Sequence, residues 1–254
     1  MQTNRFYLAL ADYLGLGLVL AALVAFFAAK TDYFFTLTTF RTIANQIPDA
    51  VIIATGMTFV LIIAGIDLSV GSVLALGGAV FGLAMTAWGV PVYIAIPLCI
   101  AVGILCGAIN GLMVAKWRLP AFIVTLGMLE AARGGAYLVT GSKTQYIGAN
   151  VEWITSRGLL GLSISFIVAL AVVVCAQILL SYTIFGRSMF AIGGNEEAAR
   201  LSGIPVGRIK MLVYTLCGGF AATAAIIHCA RLTAADPNAG IGYELQAIAA
   251  VVIG

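Results

Sequence analysis

Charge is scarce in this sequence. Asp, Glu, Lys and Arg supply 9% of its 254 residues, against 62% hydrophobic residues. That scarcity excludes a soluble domain, which needs polar residues to cover its outside. Histidine occurs once, as His228, and one imidazole without a partner pattern makes no metal site. The five cysteines are Cys99, Cys106, Cys175, Cys217 and Cys229. They form no Cys-x-x-Cys pair and no Cys/His ligand spacing, and read as small buried hydrophobes. No GxxxxGK[ST] phosphate loop occurs, so the chain cannot supply its own ATP hydrolysis. HExxH, GxSxG and clustered His/Asp are also missing, which leaves no candidate catalytic residue and ranks a membrane-embedded enzyme low. The net charge of +3, from 13 basic and 10 acidic residues, gives no sign of a nucleic-acid role.

What is present is a series of long runs without charge. They cover residues 13–29, 50–66, 68–115, 158–186 and 211–230, and mean hydropathy is +1.10. A membrane-crossing helix needs about 20 mostly apolar residues, so the expected fold is an all-α, polytopic transmembrane bundle. The expected helices cover about 12–29, 47–64, 68–86, 92–115, 120–139, 159–181 and 209–229, with an eighth opening near Tyr243. That gives about eight membrane segments in a single transmembrane domain over 1–254, with a helix break near Asp67. The first run follows Arg5, but it is long and has no small-x-small cleavage site, so it reads as a retained helix. The eighth stops at Gly254, too short to cross a bilayer, and the expectation is a C-terminally incomplete chain.

Basic residues set the expected orientation. With the N-terminus in the cytoplasm, Arg5, Lys116, Arg118, Arg187, Arg200, Arg208 and Lys210 lie inside. Lys30, Arg41, Lys143, Arg157 and Arg231 lie outside. The segment 182–208 is then cytoplasmic. Within it, GGNEEAARLSGI, Gly193 to Ile204, is rich in charge for so apolar a chain. Asn195 suits an N-cap, and Glu196 and Glu197 fall in the first turn. Glu196 and Arg200 are spaced to pair. Gly203 supplies the stop, with Pro205 beyond it. A two-turn helix is unstable alone, so something must hold it. Gly194 belongs to the same segment, Ala198, Ala199 and Ser202 permit close approach, and Leu201 and Ile204 offer an apolar edge. Two readings fit: docking into a groove on a partner, or a loop helix resting on its own protein or on lipid headgroups.

Charges inside apolar runs are candidates for a pathway. Asp67 suits a cap for a helix beginning at Leu68, with Gly65 giving a sharp entry; it and Ser69 are also placed to contact substrate. Glu130 and Arg133 are three apart and can pair on one helix face, as a structural ion pair or as pathway lining. Gly65-Ile66-Asp67-Leu68 is weakly echoed by Gly242-Tyr243-Glu244-Leu245, as an inverted repeat would give.

Several stretches together resemble the permease subunits of ribose/xylose/autoinducer-2-class ABC importers. They are FGRSMFAIGGNEEAARLSGI (Phe185–Ile204), GMTFVLIIAGIDLSVGSVLALGG (Gly56–Gly78), LPAFIVTLGML (Leu119–Leu129) and GIGYELQAIAAVVIG (Gly240–Gly254). Members often carry an aspartate where this chain has Gln246, a departure that bears on the substrate. The resemblance implies that residues 193–204 form a coupling helix that fits a cleft on an ATP-hydrolysing subunit. It implies no cofactor in this chain, with ATP-Mg held by the partner ATPase. The other implied partners are an extracytoplasmic sugar-binding protein, a second permease subunit and the bilayer. The expected function is ATP-driven import of a monosaccharide, a ribose-like pentose or related sugar, across a bacterial inner membrane. The pathway candidates are Gly65, Asp67, Ser69, Glu130, Arg133 and Gln246. The rival expectation is an ion-coupled carrier that uses Asp67 or Glu130.

Overall fold

The computed structural model describes residues 2–156, 158 and 161–253, so Arg157 and Gly254 lie outside the described residues. The chain falls into two compact units, residues 1–44 and 45–254. The first holds α1 (Gln2–Lys30) and the start of α2 (Leu37–Gln46). Between these helices Phe27 stacks on Phe34, with ring centroids 6.2 Å apart.

The second unit is built from α3 (Pro48–Ile62), α4 (Val70–Thr86), α5 (Val92–Lys116), α6 (Ala121–Thr140), α7 (Glu152–Thr155), α8 (Ile164–Tyr182), α9 (Ile184–Gly194), α10 (Glu196–Leu201), α11 (Val206–Leu232) and α12 (Tyr243–Ile253). Two short strands, β1 (Gln145–Tyr146) and β2 (Ala234–Ala235), pair antiparallel with Gln145 opposite Ala235. The all-α bundle expected from the charge-free runs is therefore present. Its segments are less uniform than expected. Among the described residues, α5, α6, α8 and α11 are long and apolar enough to cross a membrane, and α2 with α3 makes a fifth if counted as one span. α4 and α12 are apolar but shorter. The 17 residues of α4 reach about 26 Å at 1.5 Å per residue, less than the ~30 Å hydrocarbon thickness. The shortening has a local cause, because the backbone is non-helical over 65–69 and helix resumes at Val70, not Leu68. The segment 182–208, expected to be cytoplasmic with a short helix over 193–204, begins with a further helix. Thr183 caps α9 by accepting from the Gly186 amide at 3.2 Å, and Met189 and Ile192 are buried.

α11 is the centre of this unit. It packs on α5, α3 and α4, and from Val213 to Ala230 most of its side chains are buried. Close contact with α5 depends on small residues, as expected for helices with no aqueous driving force between them. Gly103, Gly107 and Gly111 of α5 meet Gly218, Tyr214 and Met211 of α11 backbone to backbone. A Cβ on Gly107 would stand 3.0 Å from Thr215 Cα and nearer still to the Tyr214 carbonyl. Large apolar side chains on the outer faces stay uncovered, such as Ile167, Leu170, Val174 and Ile178 along α8. A helix that is apolar all round suits a membrane.

Gly107→Val should therefore cost about 1–3 kcal/mol, the usual price of overpacking. Gly127→Ala and Gly134→Ala, inside α6 where a Cβ meets nothing within 4 Å, should keep stability or raise it by up to about 1 kcal/mol. Thermal melting in detergent, followed by a thiol dye reacting with the buried Cys99, Cys106, Cys217 and Cys229, separates the two cases.

Candidate functional site

α10 forms as its local chemistry dictates. The Asn195 side chain accepts from the Ala198 amide at 2.9 Å, satisfying one of the free donors of the first turn. Arg200 bonds Glu196 across one turn at 2.8 Å. The helix stops at Gly203, whose φ of +81° is the left-handed conformation that glycine adopts without penalty. Gly194 before the cap has open space around it. Sequence reasoning missed what holds the helix in place. Lys210, in the first turns of α11, donates to the other Glu196 oxygen at 2.5 Å. The Lys210 hydrogen bond, with Arg200 assisting against partial burial, holds the Glu196 carboxyl below its ordinary range. The small face is also used internally. Ala199 is 4% exposed and Ile204 is half-buried, so the expected Leu201–Ile204 edge is not a continuous outer surface. Glu197, Ala198 and Leu201 face outward, Leu201 at 82% exposure.

The chain break expected near Asp67 is present, with different parts in each role. The left-handed residue at the turn is Ala64, with φ +56°, not Gly65. Gly65 is required for close approach, since a Cβ there would lie 2.5 Å from the Tyr214 hydroxyl. Asp67 is 2% exposed. Its carboxylate accepts from the Ser69 amide at 2.9 Å and from the Ser69 hydroxyl at 2.6 Å, and that hydroxyl accepts from Asn110 Nδ2 at 3.0 Å. Asp67 thus closes a turn just before α4 and does not cap a helix starting at Leu68.

Glu130 and Arg133 do not pair. The Arg133 guanidinium instead donates to the carbonyls of Pro237, at 2.6 Å, and Ala239, at 2.8 Å. Two converging carbonyls on the irregular segment before α12 outcompete an exposed carboxylate one turn away. Glu130 is exposed and makes no ion pair among the described residues. That segment meets the Asp67 break directly. Gly240 and Gly71 are in backbone contact, and a Cβ on Gly71 would lie 2.7 Å from Glu244 Oε2. The starts of α4 and α12, the two parts of the sequence echo, therefore meet. Gln246 is exposed one turn into α12, beside Ala50, Ile53 and Tyr243.

The family described as "Branched-chain amino acid transport system / permease component" matches residues 39–254. The chain belongs to this family. The ribose import permease protein RbsC of Haemophilus influenzae is 39% identical to the permease over 100% of this chain and 78% of the relative. RbsC of Escherichia coli K12 is 41% identical over 93% and 75%. The D-allose transport system permease protein AlsC of Escherichia coli K12 is 35% identical over 96% and 75%. No solved structure matches the chain.

A second charged group of the permease was invisible as a motif. Asp49, at the start of α3, is 1% exposed. Its Oδ2 meets His228 Nδ1 at 2.9 Å, Arg231 Nη2 at 2.7 Å and the Tyr243 hydroxyl at 3.3 Å. Arg231 also donates to the Gln46 carbonyl at 2.8 Å. The lone histidine thus has partners, but the nearest acid lies 179 positions away in sequence. The spacing of His228 and Arg231, three apart at a helix end, was the available signal. This cluster ties the starts of α3 and α12 to the end of α11.

Removing one member of a buried ion pair leaves an uncompensated charge. Asp49→Ala should destabilise the permease by about 2–4 kcal/mol, and Asp49→Ala combined with Arg231→Met by clearly less than the sum. A double-mutant cycle of melting temperatures tests this. Glu196 gives a pH dependence. Its folded pKa is depressed, so its contribution is present above the unfolded value of about 4.3 and is lost as pH falls through the folded one. The melting-temperature difference between wild type and Glu196→Gln should be largest near neutrality and vanish toward the acid end.

Proposed function

We propose that the permease is the membrane subunit of an ATP-driven ABC importer for a monosaccharide, a ribose-like pentose or related sugar, in a bacterial inner membrane. The observation that carries this reading is α10. It is a short helix, capped at both ends and latched to α11 by Glu196, with Glu197 and Leu201 turned outward. A latched, outward-facing helix suits docking into a cleft on a partner and passing on its motion. The curated relatives named for ribose and allose transport support the sugar class.

On this reading ATP-Mg is bound and hydrolysed by separate ATPase subunits that meet α10. A sugar-binding protein delivers substrate at the opposite side, and two permease subunits enclose the pathway. The N-terminus is cytoplasmic, and the shorter apolar helices α4, α12 and the Gly17–Lys30 part of α1 complete a set of about eight segments. The pathway follows the meeting point of α4 and α12, near Gly65, Asp67 and Ser69, with Arg133 shaping the adjoining segment and Gln246 beside it. Ion coupling is not favoured, because Asp67 is sealed by Ser69 and Glu130 stands on the outer surface.

Co-purification of the full complex tests the docking role. Glu197→Arg and Leu201→Arg should each reduce ATPase retention about tenfold or more, as for the central residues of an interface, with membrane insertion intact. Ala199 is unsuited to the test because it is buried, and a large side chain there would disturb the permease itself. Unchanged retention would reduce α10 to a surface feature.

A further inference from the structure

Beside α10 lies a cavity of about 690 Å³, within the size range of small-molecule sites. Five basic side chains line it, Lys116, Arg118, Arg200, Arg208 and Lys210, against one carboxylate, Glu196. That carboxylate is already engaged by Lys210 and Arg200. Lys116, Arg118 and Arg208 make no hydrogen bond or ion pair among the described residues. Two long helices also open on the same space, α6 at Pro120–Ala121 and α11 at Pro205–Gly207. Neither start has a side-chain cap; the Ile123 and Val206 amides turn back to the Pro120 and Ile204 carbonyls, and the positive dipole ends of both helices lie at the cavity.

An independent observation lies at the cavity's inner wall. Tyr214 lines it, is fully buried, and its hydroxyl has no hydrogen-bond partner. A buried orphan hydroxyl is costly unless something bonds it. Converging cations, uncapped helix starts and an orphan donor are together the features of a site for a compact, multiply charged anion.

We infer that this cavity binds a phosphate group, carried either by a soluble phosphorylated metabolite or by an anionic lipid headgroup. Lys116, Arg118 and Arg208 supply charge, the starts of α6 and α11 supply their positive dipole ends, and the Tyr214 hydroxyl donates from the inner wall. The site reaches Gly65, which touches Tyr214, so an occupant borders the Asp67 break. A soluble phosphate ester there would report the supply of a phosphorylated product of the imported sugar, the class made by a kinase acting after transport.

The experiment uses the full chain in nanodiscs of phosphatidylcholine, at fixed ionic strength. Inorganic phosphate and ribose 5-phosphate are titrated, and separately phosphatidylglycerol replaces part of the lipid. Melting temperature is read against the Lys116→Gln/Arg118→Gln/Arg208→Gln variant. A soluble ligand at ten times its Kd should raise the melting temperature by about 3–5 °C, and the triple variant should lose the shift. A shift with the soluble phosphates identifies a metabolite site. A shift with phosphatidylglycerol alone, also lost in the variant, identifies a headgroup site. Tyr214→Phe, which keeps the ring, should weaken binding about tenfold or more, the worth of one hydrogen bond to a charged group. No shift with any of the three probes, or shifts retained in both variants, overturns the assignment.

Discussion

An interrupted helix away from water must have its freed polar groups satisfied by its neighbours, and the rest of this structure follows from that requirement. The chain interrupts itself twice near the centre of its bundle, at 63–69 and at 233–242, and the two interruptions meet where Gly71 touches Gly240. The first is closed by Asp67, Ser69 and Asn110. The carbonyls of the second are taken up by Arg133. Buried polar residues are few, and Asp67, Ser69, Asn110 and Thr125 among them bond at the first break. A break kept at such expense is where a helical bundle can line a route for a polar solute.

The same requirement accounts for the small residues. With interruptions at its centre, the bundle needs a rigid core elsewhere. The glycine contact between α5 and α11 provides it by bringing two backbones together. Dispersion over so close a seam replaces the hydrophobic driving force that lipid removes. α11 can then carry polar attachments at both ends without losing its position.

Features set by neighbours in sequence were legible before the structure. The Asn195 cap, the Glu196–Arg200 pair and the Gly203 stop involve residues three to eight apart, so their chemistry is written locally. The break near Asp67 was legible from its motif, although Ala64 rather than Gly65 makes the turn. Features set by competition between distant groups were not legible. Glu130 and Arg133 have the right spacing to pair, but spacing cannot show that two carbonyls a hundred residues on will claim the guanidinium. His228 has no partner visible in the sequence, because nothing in its run points to Asp49. Lys210 was counted for its sign alone, and its bond to Glu196 needed the fold. α9 was missed because a glycine-containing stretch beside a charged one looks like loop, while Thr183 caps it and its apolar side packs inward.

These attachments give α11 a mechanical character. At one end Lys210 is tied to Glu196 on α10. At the other, His228 and Arg231 are tied to Asp49 on α3 and lie beside Tyr243 on α12. The helix between has 27 residues, about 40 Å at 1.5 Å per residue, and no proline inside it. A close-packed helix does not deform smoothly, so a force on α10 that keeps the Glu196–Lys210 bond must move α11 as a body. Its far end then carries Asp49 and the starts of α3 and α12, or breaks from them. Along the way Tyr214 lies against Gly65 and Cys217 beside Asp67, so the break at the centre is displaced in either case. Coupling between distant sites needs an element with discrete arrangements that both sites bias. α11, held at both ends by ion pairs and gripped along its middle by glycine contacts, joins α10 to the meeting of α4 and α12 with no proline or unpacked joint between them.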